Sequence, residues 1–334
     1  MRMLLMLAVG LAVSATLFAQ SGGLNWEPPK TPWGDPDLEG VWTSDDLHDV
    51  PLQRPDQYGT RRFLTEEEYA AREGDVEELL TTIETGDRPT IGFFSRVSGI
   101  EKEAVNAQWV EFARRASRLT SLVSTEDGKI PPLTEEGKQR RANQPQYYNT
   151  RPRDWNDMTL YDRCITRGVT GSFFPSIYGN GTEIVQTPKM VAIRHEMVHE
   201  TRLIPLDGRK HAGPPSYMGD SVGHFEGNTL VVETSNFLGG VISIGGAPYS
   251  DHLKLTERWT RVAPDIVEYD LTVDDPLTFT EPWTVTFPIT REDGYQIFEY
   301  ACHEGNYAMK NRLSAARAEE AEEAAMKVLE MDKK

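Results

Sequence analysis

From about residue 156 onward, apolar and polar residues alternate in short segments that are separated by turn residues. In the segment DIVEYDLTV, the four apolar residues from Val267 to Val273 occupy every second position. This period of two is typical of strands with one buried face, and strands are predicted over 183–194, 196–204, 229–237, 253–261, 265–273, 283–289 and 296–302. The pair Gly227-Asn228 predicts a two-residue hairpin turn. The series predicts a mainly β fold with helical additions, either an antiparallel barrel or a sandwich.

Helical patterns flank this β region. Thr65 followed by Glu68 forms a capping box, which predicts a helix over 65–80 with a potential break at Gly74. A second capped helix is predicted near Thr134, and an Ala/Glu-rich helix from about Ser314. Residues 105–124 fit a helix or a strand. The predicted organisation is a signal peptide at 1–19, an extended and helical region at 20–155 packing on the barrel, an antiparallel β domain at 156–310, and a C-terminal helix at 311–334.

The start of the chain has the order of a secretory signal peptide. Arg2 precedes an apolar run from Met3 to Phe18, and small residues stand at Ala15 and Ala19. The run is shorter than the roughly 20 residues that span a bilayer, although an uncleaved anchor is the alternative. No later segment is apolar enough to cross a membrane. We therefore expect a periplasmic or secreted protein with no membrane insertion after cleavage.

Charge and cysteine content narrow the classes of partner. The formal net charge is −17, and this excess of acid repels nucleic acid and anionic lipid, while small neutral or cationic ligands remain open. The two cysteines, Cys164 and Cys302, predict one disulfide in an oxidising compartment. Two buried thiols are the alternative. The expected partner is a small molecule, not a nucleic acid.

The string RHEMVHE contains His195-Glu196-x-x-His199, the spacing of zinc peptidases. That chemistry needs a helix that brings both histidines to one metal ion. Here no N-cap precedes the motif and Pro205 follows it, so a strand is favoured, with His195 and His199 on one face and Glu196 and Arg202 on the other. No metal or other cofactor is predicted; a zinc site with His195 and His199 as ligands is the alternative.

Several further residues are candidates for a pocket. Glu257 shares a predicted strand face with Trp259, and Glu233 alternates with apolar residues. A carboxylate in such surroundings is costly unless paired, so it has either a functional role or an arginine partner such as Arg202 or Arg258. The full predicted set is catalytic Glu196, His199 and His211, with ligand-binding Arg202, His224, Glu233, Glu257 and Trp259.

The chain also resembles known families. The segments PDLEGVWT, DGKIPPLTEEG, YDRCITRGVTGSFFP, HETRLIPLDGRKH, GHFEGNTLVVETSNF, TVDDPLTFTEPWT and FEYACHEGN are similar to those of a large family of exported bacterial hypothetical proteins. Its pattern keeps a Glu-x-x-His, an Arg and an Asp-Gly-Arg-x-His, which correspond here to Glu196, His199, Arg202, Asp207, Gly208, Arg209 and His211. The resemblance implies no activity, but it adds weight to Glu196, His199 and His211.

A second, shorter resemblance concerns the start of the mature chain. The string GVWT resembles the opening strand of lipocalin-like (calycin) barrels, which favours that type of barrel for the fold. Three functions follow as hypotheses: a metal-free acid–base enzyme of hydratase, lyase or isomerase type, a non-catalytic carrier with the same pocket, and a zinc-dependent hydrolase. A structural protein in which the charged residues only join strands is the remaining alternative.

Overall fold

The computed structural model describes residues 26–84, 111–144 and 150–331. The predicted signal peptide at 1–19 lies outside these residues. The strands are β1 Gly40–Thr43, β2 Thr182–Thr187, β3 Met190–His195, β4 Thr201–Pro205, β5 Asp220–Glu226, β6 Thr229–Ser235, β7 Ser243–Ile244, β8 Ala247–Pro248, β9 Lys254–Ala263, β10 Ile266–Asp274 and β11 Trp283–Arg291. The helices are α1 Glu66–Glu84, α2 Glu135–Ala142, α3 Gly168–Gly171 and α4 Ala308–Met331.

Nine of these strands form one antiparallel sheet in the order β4-β3-β2-β1-β11-β10-β9-β6-β5. The sheet curls until its two edge strands, β4 and β5, meet. A Cβ atom added to Gly223 of β5 would lie only 2.7 Å from Ile204 of β4, which shows how closely the edges approach. The result is a nearly closed barrel, which confirms the predicted mainly β fold. Its first strand, β1, comes from the region before residue 156 and pairs with β2 and β11.

Aromatic side chains fill the inside of this barrel. Trp42, Trp259 and Tyr269 are at most 1% exposed, as the alternating burial of β9 and β10 requires. Phe173, just after α3, inserts among them with its ring centroid 4.9 Å from that of Trp259 and 4.5 Å from that of Tyr269. Because side chains fill the interior, a ligand site is expected at an end of the barrel.

Three predicted strands differ from the structure. The segment 183–194 is a hairpin of β2 and β3, because Pro188 and Lys189 form a two-residue turn between them. The segment 196–204 begins with a turn and contains only β4. The segment 296–302 is irregular and carries one half of the disulfide. The hairpin at Gly227-Asn228 is confirmed, since Glu226 pairs with Thr229.

The predicted helices are present with adjusted bounds. The capping box is confirmed, because the Thr65 backbone N–H donates to Glu68 Oε2 at 2.8 Å and the Glu68 backbone N–H donates to Thr65 Oγ1 at 3.2 Å. Helix α1 continues through Gly74, and α4 begins at Ala308, before Ser314. Within the ambiguous segment, residues 111–124 contain no helix and form isolated bridges at Leu119 and Val123, while 105–110 lie outside the described residues.

The disulfide prediction is confirmed by the bond between Cys164 and Cys302, which are 138 positions apart. It joins the irregular segment after β11 to the chain before α3. Among the residues described, no helix has the length and apolar character needed to cross a membrane.

Candidate functional site

Loops from several strands converge at one end of the barrel. Strand β1 ends at Thr43, where Trp42 pairs with Thr182 at the start of β2 and with Arg291 at the end of β11. His195, the last residue of β3, also pairs with Thr182. The segments that follow β1, β3 and β11 and the one that precedes β2 therefore meet at this end.

Together with residues 111–114 and Leu80 of α1, these segments surround a cavity of about 260 Å³, here called the carboxyl cavity. Its lining includes Thr43, Asp45, Glu111, Arg114, Glu292 and Tyr295. The one arginine among these lining residues, Arg114, forms an ion pair with Glu292. Because Arg114 pairs with Glu292, the other two acidic residues of the lining, Asp45 and Glu111, have no arginine partner from this lining.

Asp45 and Glu111 lie close enough for their charges to interact. Burial, and then the charge of Glu111, raises the pKa of Asp45 from 3.8 to about 8. Two adjacent buried carboxylates cannot both ionise without a large cost. The pair therefore keeps one proton at neutral pH.

The side chain of Asn180 bridges this pair to a buried histidine. Its Nδ2 lies 2.7 Å from Asp45 Oδ1, 3.2 Å from Glu111 Oε2, 3.0 Å from His48 Nε2 and 2.8 Å from the Ser176 carbonyl oxygen. Two amide hydrogens cannot serve four acceptors. Burial lowers the pKa of His48, so its ring is neutral and supplies one N–H of its own to the network.

A third carboxyl group, Glu196, lies beside the pair. Tyr295 Oη donates to Glu196 Oε2 at 2.6 Å, and Glu196 is only 8% exposed. Burial raises the pKa of Glu196, the hydrogen bond from Tyr295 opposes that rise, and the charge of Glu111 adds to it. Burial raises the pKa of Tyr295 as well, followed by the hydrogen bond to Glu196 and by the charges of Glu196, Glu111 and Asp45. All three carboxyl groups therefore contribute to the raised pKa of the Tyr295 hydroxyl.

The backbone that presents Glu196 is strained. The turn after β3 places Val198 at φ 58° and His199 at φ 46°, in the left-handed region that β-branched residues rarely adopt. Opposite the carboxylate stands Gly181, where a Cβ atom would come within 2.8 Å of Glu196 Oε2. Strain of this kind persists only where the surroundings hold it, and it is frequent at functional sites.

A wider cavity of about 1000 Å³, here called the tyrosine cleft, adjoins the carboxyl cavity. Glu111 and Tyr295 line both cavities, so these two side chains form the boundary between them. Glu196 also lines the cleft, whose outer wall comes from the segment that holds Tyr300 and Cys302. The disulfide thus anchors one wall of the site.

Of the three predicted catalytic residues, the structure brings only Glu196 to this site. His199 is exposed, and its Nδ1 lies 3.0 Å from the Tyr300 carbonyl oxygen. His211 follows the opposite end of β4, where its Nδ1 lies 3.6 Å from Asp220 Oδ2. Glu196, His199 and His211 therefore do not form one polar set.

Three predicted ligand-binding residues lie in the barrel interior instead. Arg202 and Glu257 form a two-bond ion pair, with Nη1 2.5 Å from Oε2 and Nη2 2.8 Å from Oε1, and Tyr269 Oη donates to Glu257 at 3.1 Å. Trp259 is fully buried beside them. The prediction that Arg202 shares an outer face with Glu196 is wrong, because the turn before β4 reverses the pattern. The alternative that Glu257 pairs with an inward arginine is confirmed.

The remaining two predicted ligand-binding residues are exposed. Glu233 points outward from β6 between the buried Val232 and Thr234, so its expected place on the apolar face is wrong. His224 is on β5, where its Nε2 lies 3.2 Å from Glu226 Oε1. Neither residue lines the carboxyl cavity or the tyrosine cleft.

The zinc-peptidase motif does not form a metal site. His195 is fully buried, its Nδ1 lies 3.0 Å from Thr182 Oγ1, and burial followed by the charge of Arg202 lowers its pKa to about 3. His199 lies on the surface beyond the strained turn, so neither the predicted continuous strand nor a peptidase helix places the two histidines together. Within the described ranges, no group of three or more His, Cys, Asp or Glu side chains could hold a metal ion.

Most residues of the site were not among the sequence candidates. Asp45 and His48 follow the GVWT strand, and Asn180 precedes β2, so each stands where a strand begins or ends. Polar residues at strand ends are the available signal, but linear spacing does not reveal that Glu111 and Tyr295 join them from distant loops.

Comparisons of the chain with protein-family models, with curated proteins and with solved structures found no match, so the resemblance to an exported family stays a prediction.

Proposed function

We propose that this protein is an acid–base enzyme for a small-molecule substrate, with its reaction site where the carboxyl cavity adjoins the tyrosine cleft. The observation that carries the proposal is the proton-sharing pair of Asp45 and Glu111 beside a third buried carboxyl group, Glu196. Carboxyl groups whose surroundings separate their protonation states are the usual pairing of general acid and general base. The reaction class is proton removal and return, as in hydratases, lyases and isomerases.

The roles follow from the hydrogen bonds. Glu196 is the general base: its raised pKa brings its basicity closer to neutral pH. Tyr295 is a positioning residue that donates to Glu196 and fixes its orientation. Asp45 is the general acid, because its pKa of about 8 keeps it protonated at neutral pH. Asn180 donates to Asp45 and holds it in place.

A binding protein without turnover is the second candidate. The size of the tyrosine cleft favours it, since about 1000 Å³ is enough for a whole small-molecule ligand. For either function we propose a location outside the cytoplasm, which the disulfide between Cys164 and Cys302 supports. The two candidates differ only in whether Glu196 exchanges a proton with the ligand.

A probe reaction tests the base directly. Nitrobenzisoxazole loses its ring C–H proton to a base while its N–O bond breaks, and the cyanophenolate product is coloured. We expect the protein to accelerate this reaction with a rate that rises with pH as Glu196 ionises. We also expect Glu196→Gln to lower the rate by about 100-fold, the size typical of a lost general base.

The matched control is Glu233→Gln, which removes an exposed carboxylate from β6. Its rate should equal that of the unaltered protein. Equal rates for Glu196→Gln and Glu233→Gln would refute the assignment of the base. A further comparison with acetate at the same concentration as the protein separates catalysis in a cavity from the reactivity of any carboxylate.

A further inference from the structure

The tyrosine cleft has an aromatic wall. Five of its lining residues are aromatic: Tyr161, Tyr178, Tyr295, Phe298 and Tyr300. The rings of Tyr178 and Tyr300 are within 10° of parallel, with centroids 6.3 Å apart. Phe298 is 67% exposed, and its ring meets that of Tyr295 edge to face, with centroids 5.9 Å apart. The cleft therefore offers several ring faces to a ligand.

Hydrogen bonds hold these rings in place. Tyr161 Oη lies 2.7 Å from both Tyr178 Oη and Tyr300 Oη, so three hydroxyl groups form one cluster. Burial, and then the hydrogen bond with Tyr178, raises the pKa of Tyr161 to about 12. The Tyr161 ring is therefore neutral at physiological pH, and a neutral aromatic ring presents a negative face.

The charged residues of the cleft all have the same sign. Five acidic residues line it, namely Glu111, Asp162, Glu196, Glu299 and Glu304, and its described lining contains no lysine, arginine or histidine. Two arginines beside the lining already have contacts. The Arg167 guanidinium lies 4.9 Å from the Tyr161 ring centroid, and Arg312 lies 3.5 Å from Asp162.

Ring faces and carboxylates together favour a cation. An ammonium group gains from the negative face of an aromatic ring, and a cleft lined by one sign of charge concentrates ions of the opposite sign. A hard metal ion would need a compact set of oxygen ligands, and within the described ranges no group of acidic side chains has that arrangement. A cleft of about 1000 Å³ with a wall of rings fits an organic cation better.

We propose that the tyrosine cleft binds the ammonium group of an organic cation and that this cation is the substrate or ligand of the protein. The proposal rests on the proposed function, because it names the class of ligand that reaches the carboxyl cavity. The ammonium group lies against Tyr178, Tyr300 and Phe298, with Glu299 and Glu304 as its nearest counter-charges. The remainder of the ligand extends toward Glu196.

Two probes of equal shape separate charge from size. Choline and dimethylbutanol differ in having a quaternary nitrogen or a carbon at the same position, and titration calorimetry measures the affinity of each. We expect choline to bind at least 5-fold more tightly than the neutral alcohol, which corresponds to about 1 kcal/mol of cation–π and charge attraction. Choline binding should weaken as salt is added. Equal affinity for both probes, tighter binding of the alcohol, or no binding of choline would overturn the proposal.

Two variants locate the choline site. Tyr300→Leu removes a ring face, but it also breaks the hydroxyl cluster. The double variant Glu299→Gln/Glu304→Gln changes only charge, and both residues are on an irregular segment rather than in the core. Each variant should weaken choline binding at least 3-fold, while Glu322→Gln, on the exposed part of α4, should leave it unchanged. Unchanged binding in both cleft variants would place the cation elsewhere and refute the proposal.

A third variant separates this proposal from the acid–base function. Asp45→Asn changes the carboxyl cavity but no lining residue of the tyrosine cleft. It should therefore retain choline binding. If the unaltered protein accelerates the nitrobenzisoxazole reaction but does not bind choline, the cation proposal fails while the acid–base function stands. If it binds choline without accelerating that reaction, the cation proposal stands and the carrier is favoured.

Discussion

Replacement of Arg202 by methionine is expected to lower the free energy of unfolding by about 3–5 kcal/mol. The guanidinium and the Glu257 carboxylate are both buried, at 5% and 0% exposure, and each satisfies the other through two hydrogen bonds. Removal of Arg202 leaves a carboxylate inside the barrel with only the Tyr269 hydroxyl as a donor. Urea denaturation at neutral pH measures the change.

Two control variants test whether the lost stability comes from an unpaired buried charge. Arg209→Met removes an exposed ion pair with Asp207 and should change the free energy of unfolding by less than about 1 kcal/mol. The double variant Arg202→Met/Glu257→Met removes both buried charges and should recover most of the lost stability, since apolar residues of similar volume tolerate such a site. A loss for Arg202→Met no larger than that for Arg209→Met would contradict a structural role for the pair.

The second large effect concerns the carboxyl cavity. The pKa of Asp45 rises from 3.8 to about 8 on folding, so between these pH values the folded state binds the proton more strongly than the unfolded chain. The stability contributed by that proton is complete below about pH 4 and is lost as the pH rises toward 8. Asp45→Asn cannot ionise and escapes this loss. At pH 8 we expect it to be more stable than the unaltered protein, with an upper bound of about 5 kcal/mol.

Denaturant unfolding at a series of pH values measures this difference. The advantage of Asp45→Asn should be small at pH 4 and grow toward pH 8, because only the unaltered protein must ionise a buried carboxyl group. Asp251→Asn, at an exposed position, provides the control and should follow the unaltered protein throughout. If the plots of unfolding free energy against pH for Asp45→Asn and the unaltered protein remain parallel, Asp45 does not hold a proton at neutral pH. A gain in stability with a loss of activity is typical of residues kept for function.

The alternation of apolar residues predicted the barrel well where strands are long. Strands β9 and β10 bury every second residue, so their period is visible in the sequence. It failed where a turn is only two residues long, since Pro188-Lys189 sits between apolar strands without interrupting the pattern. It also failed at 196–200, because the strained turn at Val198 depends on contacts with other segments and not on a local turn signal.

The site was less predictable than the fold. Glu196 was identified because its motif attracts attention, yet its partner Tyr295 is 99 positions away. Glu257 was correctly recognised as a carboxylate among apolar residues, whereas Arg202 was inward only in the ion-pair alternative. Burial alone does not distinguish a ligand group from an ion pair. The Asp45–Glu111 pair depends on the meeting of separate loops at one end of the barrel. No period or spacing within the chain contains that information.

Carbon-13 NMR of labelled aspartate carboxyl groups measures directly whether Asp45 and Glu111 hold a proton. We predict one aspartate carboxyl signal that titrates near pH 8 and disappears in Asp45→Asn. If every aspartate carboxyl group titrates below about pH 5, as ordinary aspartates do, the carboxyl cavity holds no such proton and the proposed general acid is wrong.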